Sequence, residues 1–126
     1  MAHILLAEDD DSMRQFLCLA LEKAGHRVTA CADGYAAYKA AEDMIDHIDL
    51  LVADIVMPGM DGIELSQRIG KMAPDLKVLF ITGFSAVAMG GKVAENDNAR
   101  VLSKPFHLND LVKQVDEILA KSALGN

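Results

Sequence analysis

Glu8-Asp9, Asp54, Thr82 and Lys104 are the residues of this chain best equipped to act together. Each stands at the end of an apolar run: HILLAE at 3–8, IDLLVAD at 48–54, KVLFIT at 77–82, and RVLS at 100–103 just before Lys104-Pro105. Three carboxylates brought to one place repel one another unless positive charge offsets them. Lys104 offers one positive charge and a divalent cation offers two, so the set sums to zero. Ligands that are all oxygen select a hard cation, Mg²⁺, over a soft one. A cation, an ammonium and a hydroxyl around a carboxylate are the equipment of phosphoryl transfer, where positioning and charge neutralisation supply most of the catalysis. In such a site a carboxylate can be the nucleophile and become an acyl phosphate.

These residues meet only if the apolar runs are neighbouring strands, and the segments between them supply that arrangement. From Asp11, apolar residues at Met13, Phe16, Leu17, Ala20, Leu21 and Ala24 recur at helical spacing, and Gly25 stands where a helix stops. RVTAC at 27–31 alternates like a short strand, and Asp33-Gly34 opens an alanine-rich helical stretch to about Met44. Asp61, followed three residues later by Glu64, reads as a capping box opening a helix with Leu65, Ile69 and Met72 inward. FSAVAMGGKVAENDN at 84–98 is expected to hold a helix weakened by Gly90-Gly91, each glycine costing about 1 kcal/mol against alanine. Leu108, Leu111, Val112, Val115, Ile118 and Leu119 mark a last amphipathic helix. Five alternations of strand and helix predict an α/β fold, a (βα)5 doubly wound five-stranded parallel sheet with helices on both faces. Ligands of such sheets bind outside the carboxyl ends of the strands, where the polar residues collect. Met57-Pro58-Gly59 fixes the turn after Asp54, Pro by setting φ and Gly by allowing an unusual backbone angle.

Composition narrows the function further. The 126 residues, 52% hydrophobic and 25% charged, suit one globular domain over residues 1–126 with no output domain. No apolar run approaches the roughly 18 residues of a membrane span, and MAHILLAEDDD lacks the basic start of a signal peptide. A cytoplasmic protein is expected. A net charge of −7 argues against nonspecific binding of nucleic acid, which needs a basic face. Cys18 and Cys31 form no CxxC pair and read as reduced core thiols, and the four histidines make no zinc-ligand spacing.

ILLAEDD, LLVADIVMPGMDG, LFITG and VLSKPF together resemble the four signature blocks of the response-regulator receiver domain of two-component signalling, over residues 3 to about 120. The resemblance implies a flavodoxin-like receiver fold and assigns roles by position. Asp54 matches the phospho-acceptor. Asp9 matches the direct Mg²⁺ ligand, Glu8 the acidic partner acting through metal-bound water, and the Val56 carbonyl the third protein ligand. Lys104 would pair with the acceptor and then with a phosphoryl oxygen, Thr82 would bond the phosphoryl group, and Lys104–Pro105 would be a cis peptide. The phosphodonor would be a sensor histidine kinase or a histidine phosphotransfer protein. ILLAEDDDS, DIVMPGMDG and RVLSKPF further resemble stand-alone receivers of the CpdR type, which implies an adaptor for ClpXP proteolysis in cell-cycle control. One position departs from the family pattern. Val101 stands where most receivers carry Tyr or Phe, so the switch would run through Thr82 with Phe84, or the segment around Met89-Gly90-Gly91, as the mobile element.

Other readings compete. A phosphate shuttle or sink in a phosphorelay uses the same residues. A phosphatase of the haloacid-dehalogenase type needs a second aspartate where Val56 stands. A flavodoxin-like binding module needs a phosphate-cradling loop where EDDDS stands.

Overall fold

The computed structural model describes residues 2–83 and 98–123. The helix expected over 84–98, with Phe84 and Met89-Gly90-Gly91, falls outside the described residues apart from Asn98. The elements run β1 (His3–Ala7), α1 (Asp11–Lys23), β2 (Arg27–Cys31), α2 (Gly34–Met44), a 3-10 turn (Ile45–His47), β3 (Leu50–Asp54), α3 (Gly62–Met72), β4 (Lys77–Thr82), β5 (Ala99–Ser103) and α4 (Leu108–Ala123). The five strands form one parallel sheet in the order β2-β1-β3-β4-β5. The order reverses beside β1, so the carboxyl ends of β1 and β3 flank the crevice in which such sheets bind ligands.

Side chains alternate between the two faces of each strand, and two cores result. Ile4, Leu6, Leu50, Val52, Leu79 and Ile81 meet Leu17 and Leu21 of α1 and Leu111, Val115 and Ile118 of α4. Leu5, Ala7, Leu51 and Ala53 meet Ala37 and Ala41 of α2 and Leu65 and Ile69 of α3. β1 from Ile4, and all of β3, are buried on both faces, whereas β2 and β5 at the two ends are only half covered. This is the doubly wound sheet that the alternation of segments predicts.

Three aspartates start helices in the same way. Asp10, Asp33 and Asp61 each accept a hydrogen bond from the N–H three residues on, at 2.8 Å, the usual work of an N-cap. Several expectations need correction. β1 ends at Ala7, not Glu8, although the Glu8 N–H still bonds the Cys31 carbonyl at 3.1 Å. β3 begins at Leu50 because the 3-10 turn occupies the residues before Ile48, and β5 begins one residue early, at Ala99. The capping box of α3 is half formed: the Glu64 carboxylate turns to Arg68 at 2.8 Å, one helical turn on, rather than back to Asp61. Met72 is 36% exposed because α3 ends there, and Phe16 is 45% exposed.

Two glycines shape the link from β3 to α3. Gly59 has φ +75°, the left-handed backbone that the turn after Pro58 requires. Gly62 lies so close beneath the β3 terminus that any Cβ would collide with the Asp54 carbonyl oxygen, and its N–H bonds the Ile55 carbonyl at 2.9 Å. Gly62→Ala should therefore destabilise the protein by about 1–3 kcal/mol, the usual cost of overpacking, despite alanine's better helix propensity. Urea unfolding followed by circular dichroism measures this; a midpoint equal to or above that of the parent would show that the approach is not tight.

Candidate functional site

The parallel register delivers the chemical groups to one edge. Asp54 is the last residue of β3 and sits beside Ile81, one step before Thr82 at the end of β4. Thr82 is opposite Ser103, and the next residue, Lys104, donates its backbone N–H to the Thr82 carbonyl at 2.7 Å. Glu8 and Asp9 follow β1 directly. The Lys104–Pro105 peptide is cis.

Glu8 is 1% exposed and Asp54 7%, so both carboxyls are dry on the protein side. The Lys104 Nζ lies 3.3 Å from Asp54 Oδ2 and 3.7 Å from Glu8 Oε1. The other oxygen of Asp54, Oδ1, accepts the Val56 N–H at 3.1 Å, and Glu8 Oε2 accepts the Asp10 N–H at 3.1 Å. Burial pushes the Glu8 carboxyl up to about 7; the Asp10 N–H opposes this, the adjacent Asp54 adds to it, and Lys104 opposes it again. Burial alone would lower the Lys104 ammonium, but the carboxylates of Asp54 and Glu8 outweigh that and hold it above the ordinary lysine value.

One lysine leaves the carboxylates under-compensated. Glu8 Oε1 is buried without a hydrogen-bond partner. One oxygen from each of Glu8, Asp9 and Asp54 lies within 4.8 Å of the others. A buried orphan oxygen within three hard oxygen donors fits Mg²⁺ in chemistry and charge. The site opens into a cleft of about 650 Å³, with Ser12, Met13 and Phe16 along one side.

The structure thus brings together Glu8, Asp9, Asp54 and Lys104, with Thr82 buried on the adjoining strand end. Val56 stands at the rim, 54% exposed. Val101 lies half-buried in β5 opposite Phe80, two residues from the site edge rather than in it. Phe84 is outside the described residues. Sequence reasoning missed Arg14, whose guanidinium bonds the Glu8 carbonyl at 3.0 Å and pairs with Asp11. The three-residue spacing of Asp11 and Arg14 on α1 was the available signal.

The profile of the response regulator receiver domain matches residues 4–116. The chain belongs to the response regulator receiver family. The receiver is 52% identical over 119 residues to the response regulator receiver protein CpdR of Brucella abortus, a match spanning 94% of this chain and 98% of that one. It is 35% identical over 120 residues to the sensor kinase CckA of the same organism, 95% of this chain but 13% of the kinase. Among solved structures, the receiver domain of the hybrid histidine kinase CckA matches with a TM-score of 0.80 at 30% identity, over 94% of this chain and 99% of that one. Vibrio cholerae CheY4 matches at 0.83 and 26%, over 94% and 98%. Among the described residues no helix is long and apolar enough to cross a membrane. The family match sets aside the hydrolase reading.

Crowded charge should make the receiver's stability respond to Mg²⁺. Mg²⁺ at about a hundred times its dissociation constant should stabilise the protein by about 2.7 kcal/mol. Asp54→Asn, which removes one of three like charges, should raise the melting temperature in EDTA by several degrees, since about 1 kcal/mol moves it by about 2–8 °C at this size, and should blunt the Mg²⁺ response. Differential scanning calorimetry checks both; a mutant less stable than the parent in EDTA would mean that the lysine pair outweighs the repulsion.

Proposed function

We propose that this protein is a stand-alone response regulator of the cytoplasm, phosphorylated on Asp54 by the phosphohistidine of a sensor histidine kinase or a histidine phosphotransfer protein. The observation carrying this reading is the Lys104 ammonium held 3.3 Å from Asp54 Oδ2 and 3.7 Å from the orphan Glu8 Oε1. An Asp54 oxygen attacks phosphorus in line; the new O–P bond forms as the P–N bond to the imidazole breaks, and the electron pair leaves with that nitrogen. Lys104 shields the carboxylate before attack and meets a phosphoryl oxygen after it. The Thr82 hydroxyl donates to another phosphoryl oxygen. Glu8, Asp9 and Asp54, with the Val56 carbonyl, would hold Mg²⁺, which would supply positive charge to offset that of the phosphoryl group. The protein catalyses this transfer on itself, and its hydrolysis, rather than turning over a substrate.

Phosphorylation adds about one net negative charge and acceptor oxygens at the sheet edge, and this shifts protein–protein contacts through a population of two states. With Val101 beside Phe80 in place of an aromatic residue, Thr82 transmits the change without a ring movement on β5. Likeness to CpdR along 98% of that relative supports the stand-alone receiver reading, and the output proposed for it is an adaptor role in ClpXP proteolysis in cell-cycle control.

Intact mass spectrometry after incubation with acetyl phosphate and Mg²⁺ tests the chemistry. One phosphoryl adduct is expected, absent in Asp54→Asn and in EDTA. Lys104→Met should slow its formation by roughly 10²–10³-fold, the usual effect of removing one charge-stabilising group. An adduct that persists in Asp54→Asn would overturn the assignment. For the output, ClpXP degradation assays with unmodified and phosphorylated protein should differ, whereas rapid onward transfer to a phosphotransfer protein with no such difference would favour a shuttle.

A further inference from the structure

The loop that carries Glu8 and Asp9 is held from one side by a residue to which the proposed chemistry gives no part. Arg14 lies on the first turn of α1 and is 21% exposed at its side chain. Its Nη1 donates to the Glu8 carbonyl at 3.0 Å, and its Nη2 pairs with Asp11. Its own N–H is bonded to the Asp10 carbonyl at 2.8 Å. One residue thus closes a ring around residues 8–11. Within that ring the Asp10 N–H holds Glu8 Oε2, and Asp10 Oδ1 caps the helix. The planar guanidinium fork can serve two acceptors at once, which a lysine ammonium on a flexible stem cannot do in the same geometry.

We infer that Arg14 is a positioning residue for the cation site: by fixing the Glu8 carbonyl it sets the direction in which Glu8 and Asp9 present their carboxylates. This inference rests on the phosphorylation reading above. It makes a prediction opposite to simple electrostatics. A cation at position 14 repels Mg²⁺, so on charge alone its removal would tighten Mg²⁺ binding. If Arg14 acts by orienting the loop, its removal weakens binding, because side chains that orient metal ligands are typically worth 10–100-fold in affinity.

The test is titration calorimetry with Mg²⁺ alone on the parent, Arg14→Ala and Arg14→Lys, with melting temperatures in EDTA confirming that each is folded. Arg14→Ala should bind Mg²⁺ roughly tenfold or more weakly, and Arg14→Lys, which keeps the charge but loses the fork, should weaken it too. Acetyl phosphate labelling should show the loss in the Mg²⁺ concentration needed for half-maximal rate, with the limiting rate at saturating Mg²⁺ little changed. Unchanged or tighter Mg²⁺ binding in Arg14→Ala, or full retention in Arg14→Lys, would overturn the positioning role while leaving Asp54 chemistry standing. A parent protein that binds no Mg²⁺ would overturn the underlying reading and this inference with it.

Discussion

Like charge at close range governs this molecule. Three carboxylates face one another across the end of a sheet, two of them almost without solvent. A folded chain tolerates that only with compensation from fixed positive charge, from oriented N–H groups, or from a proton. Each is present. Lys104 reaches both buried carboxylates, backbone N–H groups of Asp10 and Val56 take one oxygen from each, and burial raises the proton affinity of Glu8. The compensation is incomplete at Glu8 Oε1. That deficit, within three oxygen donors, fits a hard divalent cation in chemistry and charge.

The rest of the fold holds this charge in place. β3 is buried along its whole length, so Asp54 is anchored by four apolar residues locked into two cores. Gly62 lets α3 start directly under the Asp54 carbonyl, and the Ile55 N–H bonds the Ile81 carbonyl at 2.9 Å, which carries the ladder one residue past Asp54. Lys104 is tied at both ends, its backbone to Thr82 and its side chain to Asp54. The acidic loop is short, capped by Asp10 and closed by Arg14. Little main-chain freedom remains near Asp54.

Much of this is legible in the sequence, for identifiable reasons. Central strands of a parallel sheet are buried on both sides, so β1, β3 and β4 read as unbroken apolar runs and their last residues announce the site. Asp54, Thr82 and Lys104 stand where those runs place them. Helix periodicity shows which face is apolar but not where the neighbouring layer stops, and for that reason Met72 and Phe16 are more exposed than their spacing suggests. Short-range side-chain choices are also hidden: Glu64 had both Asp61 and Arg68 within reach, and only the folded helix decides between them. The role of Gly62 depends on a carbonyl eight residues earlier, and the orphan oxygen of Glu8 depends on burial by elements from across the chain. No local pattern records either.

The two terminal strands of the sheet carry a separate consequence, for behaviour in concentrated solution. A sheet that does not close on itself offers main-chain donors and acceptors to any extended segment that comes alongside. Here both terminal strands are five residues long, and each carries an arginine: Arg27 exposed at the start of β2, Arg100 in β5 reaching Gln114 and Glu117 of α4. A second chain adding edge to edge would gain few ladder bonds, and along β2 it would have to desolvate the exposed Arg27 to form them. Short, charged edges thus guard an open sheet against self-templated aggregation, and the most apolar strands stay in its middle, where no neighbour can reach them.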